Sequence, residues 1–526
     1  MASEARKGLV ARWIERRFGG YRHPVNSPDP ELPAALESPK RVAVIGAGLA
    51  GLGAAAKLAE RGFGVVLFER NHYLGGKLGA WKTTFPDGSE EAMNHGFHAF
   101  FRHYYNLSEF LSQLGIDRNL TEVGDYMILG VDGQRYSFAG AAATPLLNLI
   151  SLGRLGLYSF REVTGRKTRT KLEALLRYDR DKTYAEWDSV SFAEFAEQAE
   201  LPDSLALVFN TFSRAFFSDA EKMSMAELMK SFHYYYLSND NGLLYDHLDD
   251  DFEPTLLTPL REYLERHGVD IRLETEVGAI SANSASTEGA SFTVDDEPFD
   301  YLLIASDVVG TRSIFAASPE LAAAAPETAA KIDALFPGQR YSVWRLWLDI
   351  DFDRGEVPSF VITERDRYLD AISWVEGVES SAAEWVAERR KAGKRGCVLE
   401  LHCYAVPEEL SGGRIDAETE EVIREGFLVE LRNLFPELAD APVIHDELYV
   451  RRDFPAFHVG THAQRPGIGT DHPRLFLAGD WVDLPFPAML MEAAYTSGLM
   501  AANAMMSAEG LREEPVWSVP KRGILA

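Results

Sequence analysis

The stretch Arg41–Lys77 reads RVAVIGAGLAGLGAAAKLAERGFGVVLFERNHYLGGK and decides the fold of this chain. It opens with a short apolar run, passes through three glycines in the spacing G-x-G-x-x-G, and continues as an alanine- and leucine-rich segment. A second apolar run follows and ends at the acidic residue Glu69. This order of strand, turn, helix, strand and acid predicts a dinucleotide-binding unit.

Each glycine of the motif has a physical reason. Gly46 lets the chain turn tightly out of the first strand, Gly48 leaves the backbone bare for a pyrophosphate, and Gly51 lets the helix approach the strand. The free N–H groups of the helix N-terminus would bind the phosphates, and Glu69 would accept hydrogen bonds from ribose hydroxyls. The cofactor-binding residues predicted in this stretch are Gly46, Ala47, Gly48, Leu49, Ala50, Gly51, Glu69, Arg70, Gly76 and Lys77.

The glycine triplet by itself does not distinguish FAD from NAD. Gly75, Gly76 and Lys77 follow the acid, and this second glycine pair allows another close approach to the same pyrophosphate. With the triplet, the second pair and the basic residue, the chain resembles the superfamily of flavin-dependent amine oxidases and carotenoid desaturases. The resemblance implies FAD as the cofactor. It also implies an α/β architecture: a Rossmann-type FAD-binding domain with an inserted α+β substrate domain.

Composition narrows the class of protein. The chain has 526 residues, 46% of them hydrophobic and 25% charged, which is typical of a globular protein of two or more domains. Its formal net charge of −27 argues against a nucleic-acid partner. The two cysteines, Cys397 and Cys403, are predicted to be reduced core residues on one face of a strand. No apolar stretch predicts a signal peptide or a transmembrane helix.

The segment Met93–Gly115 reads MNHGFHAFFRHYYNLSEFLSQLG and concentrates histidines and aromatic residues. His95, His98 and His103 fall within nine residues. No carboxylate accompanies them at the i, i+4 spacing of a helix, so we predict no metal site.

Within that segment, the run HGFHAFFRHYYNL resembles carotenoid desaturases of the plant and cyanobacterial type. The resemblance is strongest to the relatives that turn a carotenoid β-ring into an aromatic ring. In the family this segment lines the flavin, which implies that Gly96, Phe97 and His98 contact it. His98 or His95 could take up a proton, and Arg102 could steady the reduced flavin. The alternative is that all three hold the loop by stacking and hydrogen bonding.

The end of the chain carries a second signature. An apolar strand, Leu475–Ala478, precedes Gly479 and Asp480, and a helix containing LMEAAYTSGLMAANAMM follows. This resembles the second flavin motif of the family, in which the first turn of the helix faces the flavin ring. The resemblance implies that Gly479, Asp480, Leu490 and Met491 bind FAD, and that the backbone of Val277 touches the adenine. Ala493 stands where the family usually has glycine.

We expect a discontinuous FAD-binding domain, 40–125, 255–310 and 445–510, and a substrate and membrane-associating domain, 126–254 and 311–444. An N-terminal extension, 1–39, and a tail, 511–526, complete the chain. Within the substrate domain, 340–352 is predicted to be a half-buried strand, 201–236 an aromatic helical lid, and 249–251 a solvated acidic run. The basic helix 5–18 and the basic run after residue 160 are either solvated surface or contacts with an anionic bilayer. The apolar segment 144–160 is either a buried core helix or, as the resemblance implies, a segment that dips into the bilayer at the mouth of a substrate tunnel.

The apolar and aromatic content of these insertions indicates a lipophilic substrate. The resemblance implies an FAD-dependent oxidoreductase that desaturates a carotenoid and aromatises a β-ionone end ring with methyl migration. Alternatives are an acyclic carotenoid desaturase acting on phytoene or ζ-carotene, a carotene cis–trans isomerase, a flavin amine oxidase, and a carotenoid-binding scaffold without turnover. We expect a cytoplasmic protein held peripherally on the inner face of the cell membrane, with a lipid quinone or oxygen as electron acceptor.

Overall fold

The computed structural model describes residues 9–125, 127–131, 133–156, 158–159, 165–201, 216–242, 244–282 and 291–526. The start of the predicted basic helix, residues 5–8, lies outside these ranges. So do residues 202–215 of the predicted lid and most of the segment 157–164. The described part of the chain forms two main sheets with helices packed against them.

A parallel sheet of five strands forms the first half of the molecule. Its spatial order is Asp270–Arg272, Gly64–Phe68, Arg41–Ile45, Tyr301–Ile304 and Leu475–Leu477, and every neighbouring pair is parallel. The central strands are buried on both faces, which is why they read as continuous apolar runs. This sheet confirms the predicted α/β, Rossmann-type class.

Two helices from opposite ends of the chain pack together beside this sheet. The helix Leu49–Glu60 follows the glycine loop, and Leu490–Ala508 is the helix of the second signature. Glycines make the contact possible: a Cβ on Gly498 would lie 2.0 Å from the carbonyl oxygen of Ala50, and one on Gly53 would meet the Tyr495 ring at 2.6 Å. The N-terminal and C-terminal signatures are therefore parts of one structural unit.

The second main sheet has seven strands and is antiparallel except at one pair. Its spatial order is Val443–Arg451, Tyr341–Leu348, Cys397–Cys403, Ala371–Trp374, Phe360–Thr363, Met127–Leu129 and Arg135–Ser137. Both cysteines are buried and free, as predicted.

The prediction that 340–352 is a half-buried strand was wrong. All eight residues of Tyr341–Leu348 are buried, because the sheet is covered on both faces. Trp344 packs against Phe427 of the helix Ala417–Leu434 on one side, and Trp347 packs edge-on against Phe85 on the other. The arginine in this run therefore lies in the protein interior rather than in solvent.

Smaller elements complete the fold. Paired short strands are His23–Pro24 with Trp517–Ser518, Ala80–Thr84 with Glu90–Asn94, Phe100–Phe101 and Leu120–Glu122 on either side of Tyr245–Leu248, and Ser281–Ala282 with Phe292–Val294 and Glu297–Phe299. Further helices are Leu9–Phe18, Tyr105–Gln113, Leu147–Arg154, Arg166–Leu175, Arg180–Trp187, Phe192–Ala199, Met225–Phe232, Thr258–Arg266, Val308–Ala317, Pro319–Ala324, Pro326–Ala334, Ser380–Lys391, Glu408–Ser411 and Pro436–Ala439. Across the described ranges, no helix has the length and apolar character needed to cross a membrane.

Candidate active site

A continuous cavity of about 650 Å³ is lined by residues of both main sheets. One end is formed by the glycine loop and its neighbours, and we call it the nucleotide end. The other end is formed by aromatic side chains of the seven-stranded sheet and the segments beside it, and we call it the aromatic end. The cavity therefore joins the two halves of the molecule.

Backbone geometry builds the nucleotide end. Gly46 has φ of +105° at the turn out of the first strand, a conformation that side chains disfavour. A Cβ on Gly51 would lie 1.9 Å from the carbonyl oxygen of Gly46, so only glycine allows this packing of helix on loop. A Cβ on Gly48 would meet nothing within 4 Å, so this backbone is bare and open toward a ligand.

The acid at the end of the second strand is positioned by the loop itself. Glu69 is buried, and its Oε2 accepts a hydrogen bond from the backbone N–H of Ala47 at 2.8 Å. Its Oε1 accepts from the backbone N–H of Asn71 at 2.9 Å. The carboxylate is thus fixed at the cavity wall, where it can accept further hydrogen bonds from ribose hydroxyls.

The second glycine pair lies against the first motif. The backbone N–H of Gly75 donates to the carbonyl of Ala47 at 2.8 Å, and a Cβ on Gly76 would lie 3.1 Å from Cα of Gly48. Lys77 places its Nζ 2.9 Å from Oδ2 of Asp480, which comes from the far end of the chain. A cation, an acid and two bare backbones thus face one cavity, a donor and acceptor set that fits a dinucleotide.

Most of the predicted cofactor residues line this cavity: Gly46, Gly48, Leu49, Ala50, Glu69, Arg70, Gly76, Lys77, Phe97, His98, Val277, Gly479, Asp480, Leu490 and Met491. Three others stand behind the lining. Ala47 and Gly51 support the loop, and Gly96, with φ of +92°, leaves room for a side chain of the seven-stranded sheet. A Cβ on Gly96 would lie 2.7 Å from Cε1 of His402.

The three clustered histidines have different surroundings. His98 lines the cavity and places Nδ1 2.7 Å from the carbonyl oxygen of Gly96, and burial lowers its pKa to about 4. His95 also lines the cavity, between the rings of Trp81 and Tyr449, and burial lowers its pKa to about 3. His103 packs among aromatic rings away from the cavity, and burial lowers its pKa to about 3. The described residues contain no grouping of His, Cys, Asp and Glu that could hold a metal ion.

Arg102 lies outside the main cavity. Its guanidinium forms ion pairs with Asp246, at 2.8 Å, on the strand Tyr245–Leu248 that pairs with Phe100–Phe101, and with Glu122, at 3.0 Å, on the far strand Leu120–Glu122. Its charge is thus already compensated on the side of the three-stranded sheet.

The aromatic end contains a wall of rings: Phe97, Phe101, Tyr104, Phe138, Tyr235, Tyr236, Tyr245, Phe360 and Tyr404. Phe97 and Phe360 stack with their ring centres 4.1 Å apart. This end suits a flat, apolar, conjugated ligand. His402 also lines it, a residue that sequence reasoning placed on a strand without giving it a role.

The flavin-containing amine oxidoreductase family profile matches residues 49–506. The chain belongs to this family. It is an oxidoreductase, and its cofactor is FAD. Over 489 residues it is 36% identical to a carotenoid phi-ring synthase of Streptomyces griseus, covering 92% of this chain and 90% of that protein.

One further sequence relative and one solved structure agree with the family assignment. The chain is 28% identical to a carotenoid phi-ring synthase of Chlorobaculum tepidum, covering 94% of this chain and 93% of the relative. The solved structure of cyclohexylamine oxidase from Brevibacterium oxydans matches with a TM-score of 0.60 at 16% identity, covering 89% of this chain and 99% of that one. The latter likeness concerns the fold alone.

Proposed function

We propose that this protein is an FAD-dependent carotenoid desaturase that aromatises a β-ionone end ring with migration of one methyl group. The observation that carries the proposal is the 36% identity to a carotenoid phi-ring synthase over nearly the full length of both chains. The aromatic end of the cavity supports it, because a polyene ring needs a dry, flat, apolar chamber.

We propose that FAD lies along the nucleotide end. Gly48 and Gly76 would let their backbones approach the pyrophosphate, Glu69 would bind the ribose, and Lys77 and Asp480 would contact the chain leading to the flavin. The segments 40–125, 255–310 and 445–510 would form most of the FAD-binding domain. We move the start of the third segment from residue 445 to residue 452, because the strand Val443–Arg451 pairs within the seven-stranded sheet.

FAD, when bound, accepts a hydride from an allylic carbon of the ring. Loss of the hydride leaves a cation delocalised along the polyene. In the course of two such oxidations a methyl group shifts to the adjacent ring carbon, and a proton leaves after each. The protein's part is to hold the ring, exclude water and accept the protons. The aromatic rings at Phe97 and Phe360 would hold the ring plane and stabilise its positive charge.

The roles of the three residues singled out in the sequence follow from their surroundings. We propose that His98 and His95 stay neutral and orient the flavin-facing loop, because burial gives both imidazoles low pKa values. We propose that Arg102 locks the strand Phe100–Phe101 to its neighbour through Asp246.

Pigment analysis tests the function directly. The chain is expressed in a bacterial host that accumulates β-carotene, and the extracted carotenoids are compared with those of a host carrying an empty vector. We expect carotenoids with aromatic end rings. Unchanged β-carotene, with products formed instead in hosts that accumulate phytoene, ζ-carotene or cis-lycopene, would move the protein to the acyclic desaturases or isomerases. Peroxide release from amines would identify an amine oxidase.

We also propose that the protein is cytoplasmic and binds peripherally to the inner face of the cell membrane. The helix Leu9–Phe18 exposes Leu9 to 80% and Trp13 to 55%, beside three exposed arginines, Arg12, Arg16 and Arg17. Its buried Ile14 packs in a cluster that includes Leu146, just before the helix Leu147–Arg154. That helix exposes Ile150, and its Asn148 side chain donates to the carbonyl of Tyr236, a residue of the aromatic end. An apolar, basic surface thus lies close to the chamber proposed for a lipid-soluble substrate.

Vesicle sedimentation tests this attachment. Trp13→Asp should lower the fraction bound to vesicles of anionic phospholipid about tenfold, because it places a charge in the apolar face. Val429→Asp, at a residue 58% exposed on the helix Ala417–Leu434, is the matched control and should bind as the wild type does. Equal binding by all three proteins would contradict the assigned surface.

A lipid quinone is the electron acceptor we propose, since a protein bound to the membrane surface as proposed above would meet it in the same bilayer as the substrate. Anaerobic mixing of the substrate-reduced protein with vesicles containing a quinone should restore the yellow absorption of oxidised FAD. Restoration by oxygen alone would identify oxygen as the acceptor.

A further inference from the structure

A buried charge network lies behind the aromatic end, and none of it belongs to the flavin signatures. Its centre is Arg345, on the strand Tyr341–Leu348, whose side chain is 2% exposed. Arg345 donates two hydrogen bonds to Glu379, each 3.0 Å long, and its Nε donates to Oε2 of Glu400 at 2.9 Å. On the adjacent strand, His402 places Nε2 3.0 Å from Oε1 of Glu400.

The network connects directly to the cavity wall. Oε1 of Glu400 also accepts a hydrogen bond from the backbone N–H of Phe97, one of the two stacked rings. His402 itself lines the cavity, 6.2 Å from the Phe360 ring centre and 5.9 Å from that of Tyr404. Gly96 is the residue that makes room for this imidazole, since a Cβ there would contact its Cε1.

The network holds more negative than positive side chains around Arg345. Two carboxylates, Glu379 and Glu400, face the single guanidinium of Arg345 in a site closed to solvent. Burial alone would raise the pKa of Glu400, but Arg345 and His402 outweigh burial and lower it to about 2. Glu400 is therefore ionised beside His402, so a positive charge that develops on the imidazole during the reaction would form next to an anion.

We propose that His402 is the catalytic base that accepts the protons lost from the carotenoid ring, and that Glu400 and Arg345 are its positioning residues. The assignment rests on the proposed function. Nε2 lies 3.0 Å from Oε1 of Glu400, so we assign the proton of the neutral imidazole to Nε2 and the accepting role to Nδ1. The ring C–H bond breaks, its electron pair becomes the new ring double bond and neutralises the carbocation, and the proton bonds to Nδ1. Each of the two oxidations gives one hydride to FAD and one proton to Nδ1. Between them the proposed lipid quinone takes up the two electrons and two protons to become a quinol, which leaves the flavin oxidised and His402 neutral for the second oxidation.

The test is His402→Gln, which keeps a polar side chain of similar length but cannot carry the proton. His267→Gln, at an exposed histidine outside the cavity, is the matched control. Both proteins and the wild type are supplied with β-carotene in liposomes. We expect His402→Gln to retain full FAD content and to form aromatic product about 100-fold more slowly, while the control matches the wild type.

An isotope readout separates proton transfer from a structural role. β-Carotene is deuterated either at C4, from which the first hydride leaves, or at C3, from which the following proton leaves. In His402→Gln a primary isotope effect should appear or grow at C3 and diminish at C4, because proton loss becomes rate-limiting. Should the glutamine variant not fold, His402→Ala with added imidazole takes its place. In that variant, added imidazole should restore product formation because it can accept the proton. Cyclopentanol, which is of similar size but has no basic nitrogen, should not.

The outcomes distinguish the two proposals. If the wild type yields no desaturated carotenoid, the proposed function fails. If the wild type is active and His402→Gln forms product within about threefold of it, with no change in the isotope effects, the assignment of His402 fails alone. A non-aromatic desaturated product leaves the comparison valid, because every desaturation removes one hydride and one proton.

Discussion

The two ends of the cavity are built in different ways. The nucleotide end consists largely of backbone: bare glycines, a helix N-terminus and an acid, most of them within the single stretch Arg41–Lys77. The aromatic end consists of side chains that arrive from separate strands and turns and rest on a buried charge network. In the binding mode proposed above, main-chain geometry holds the cofactor, whereas side chains from separate segments contact the substrate.

The largest effect that would test this contrast is expected at Gly51. Gly51→Ala should destabilise the protein by about 3 kcal/mol and abolish FAD retention, because the new Cβ would overlap the Gly46 carbonyl. Thermal unfolding and the flavin absorbance of the purified protein measure both. Gly48→Ala, where the added carbon meets open space, should fold normally and lose only FAD affinity. Equal stability of the two variants would show that the close packing of Gly51 on the Gly46 carbonyl does not determine the structure of the nucleotide end.

A smaller effect is expected at Glu492, in the first turn of the helix Leu490–Ala508. Its carboxylate is buried and accepts hydrogen bonds from the backbone N–H groups of Asn106 and Leu107. Burial nevertheless raises its pKa to about 7, above the ordinary 4.5, so the folded protein binds more protons than the unfolded chain between these values. The contribution of Glu492 to the free energy of unfolding should therefore fall as the pH rises from about 4.5 to 7, by about 3 kcal/mol at most, against the opposite contribution of the buried histidines, whose pKa values are lowered.

Glu492→Gln should remove that pH dependence, because glutamine does not titrate. Urea unfolding at a series of pH values measures it, with Glu262→Gln, at an exposed position, as the control. A slope in the glutamine variant equal to that of the wild type would assign the pH dependence to other groups.

The smallest effect is expected at Phe360. Phe360→Leu removes the stacking partner of Phe97 but keeps an apolar side chain, so turnover of β-carotene should fall about five- to tenfold while FAD content stays unchanged. Loss of FAD in this variant would mean that the two ends are not independent. Product analysis and flavin absorbance on the same preparation distinguish the two results.

The sequence predicted the strand, glycine turn, helix and second strand of the nucleotide end, because the spacing of the three glycines and of the acid is local information. The cofactor contacts of these residues stay a prediction. The second signature led us to assign 445–510 to the same domain as 40–125, and the structure packs the helices Leu49–Glu60 and Leu490–Ala508 together. It did not predict the charge network, since Arg345, Glu379 and Glu400 converge only after the seven-stranded sheet has formed. When one strand is considered alone, a charged residue between aromatic residues predicts a strand with one face buried and the other exposed to solvent.

The acidic run at 249–251 gives the same lesson. It was predicted to be solvated, and this was wrong for Asp251, which is buried within reach of the Asn94 side chain. Burial, followed by the charge of Glu379, raises its pKa to about 6. Residues from four separate segments create this environment, and a sequence read one segment at a time does not contain it.

The glycine contact between the helices Leu49–Glu60 and Leu490–Ala508 has a consequence for biosynthesis. The glycine loop and its helix are translated well before the surface against which that helix packs, because residues 61–489 lie between the two helices. A nascent or truncated chain that lacks the second helix would therefore expose the alanine-rich side of the first to chaperones and proteases.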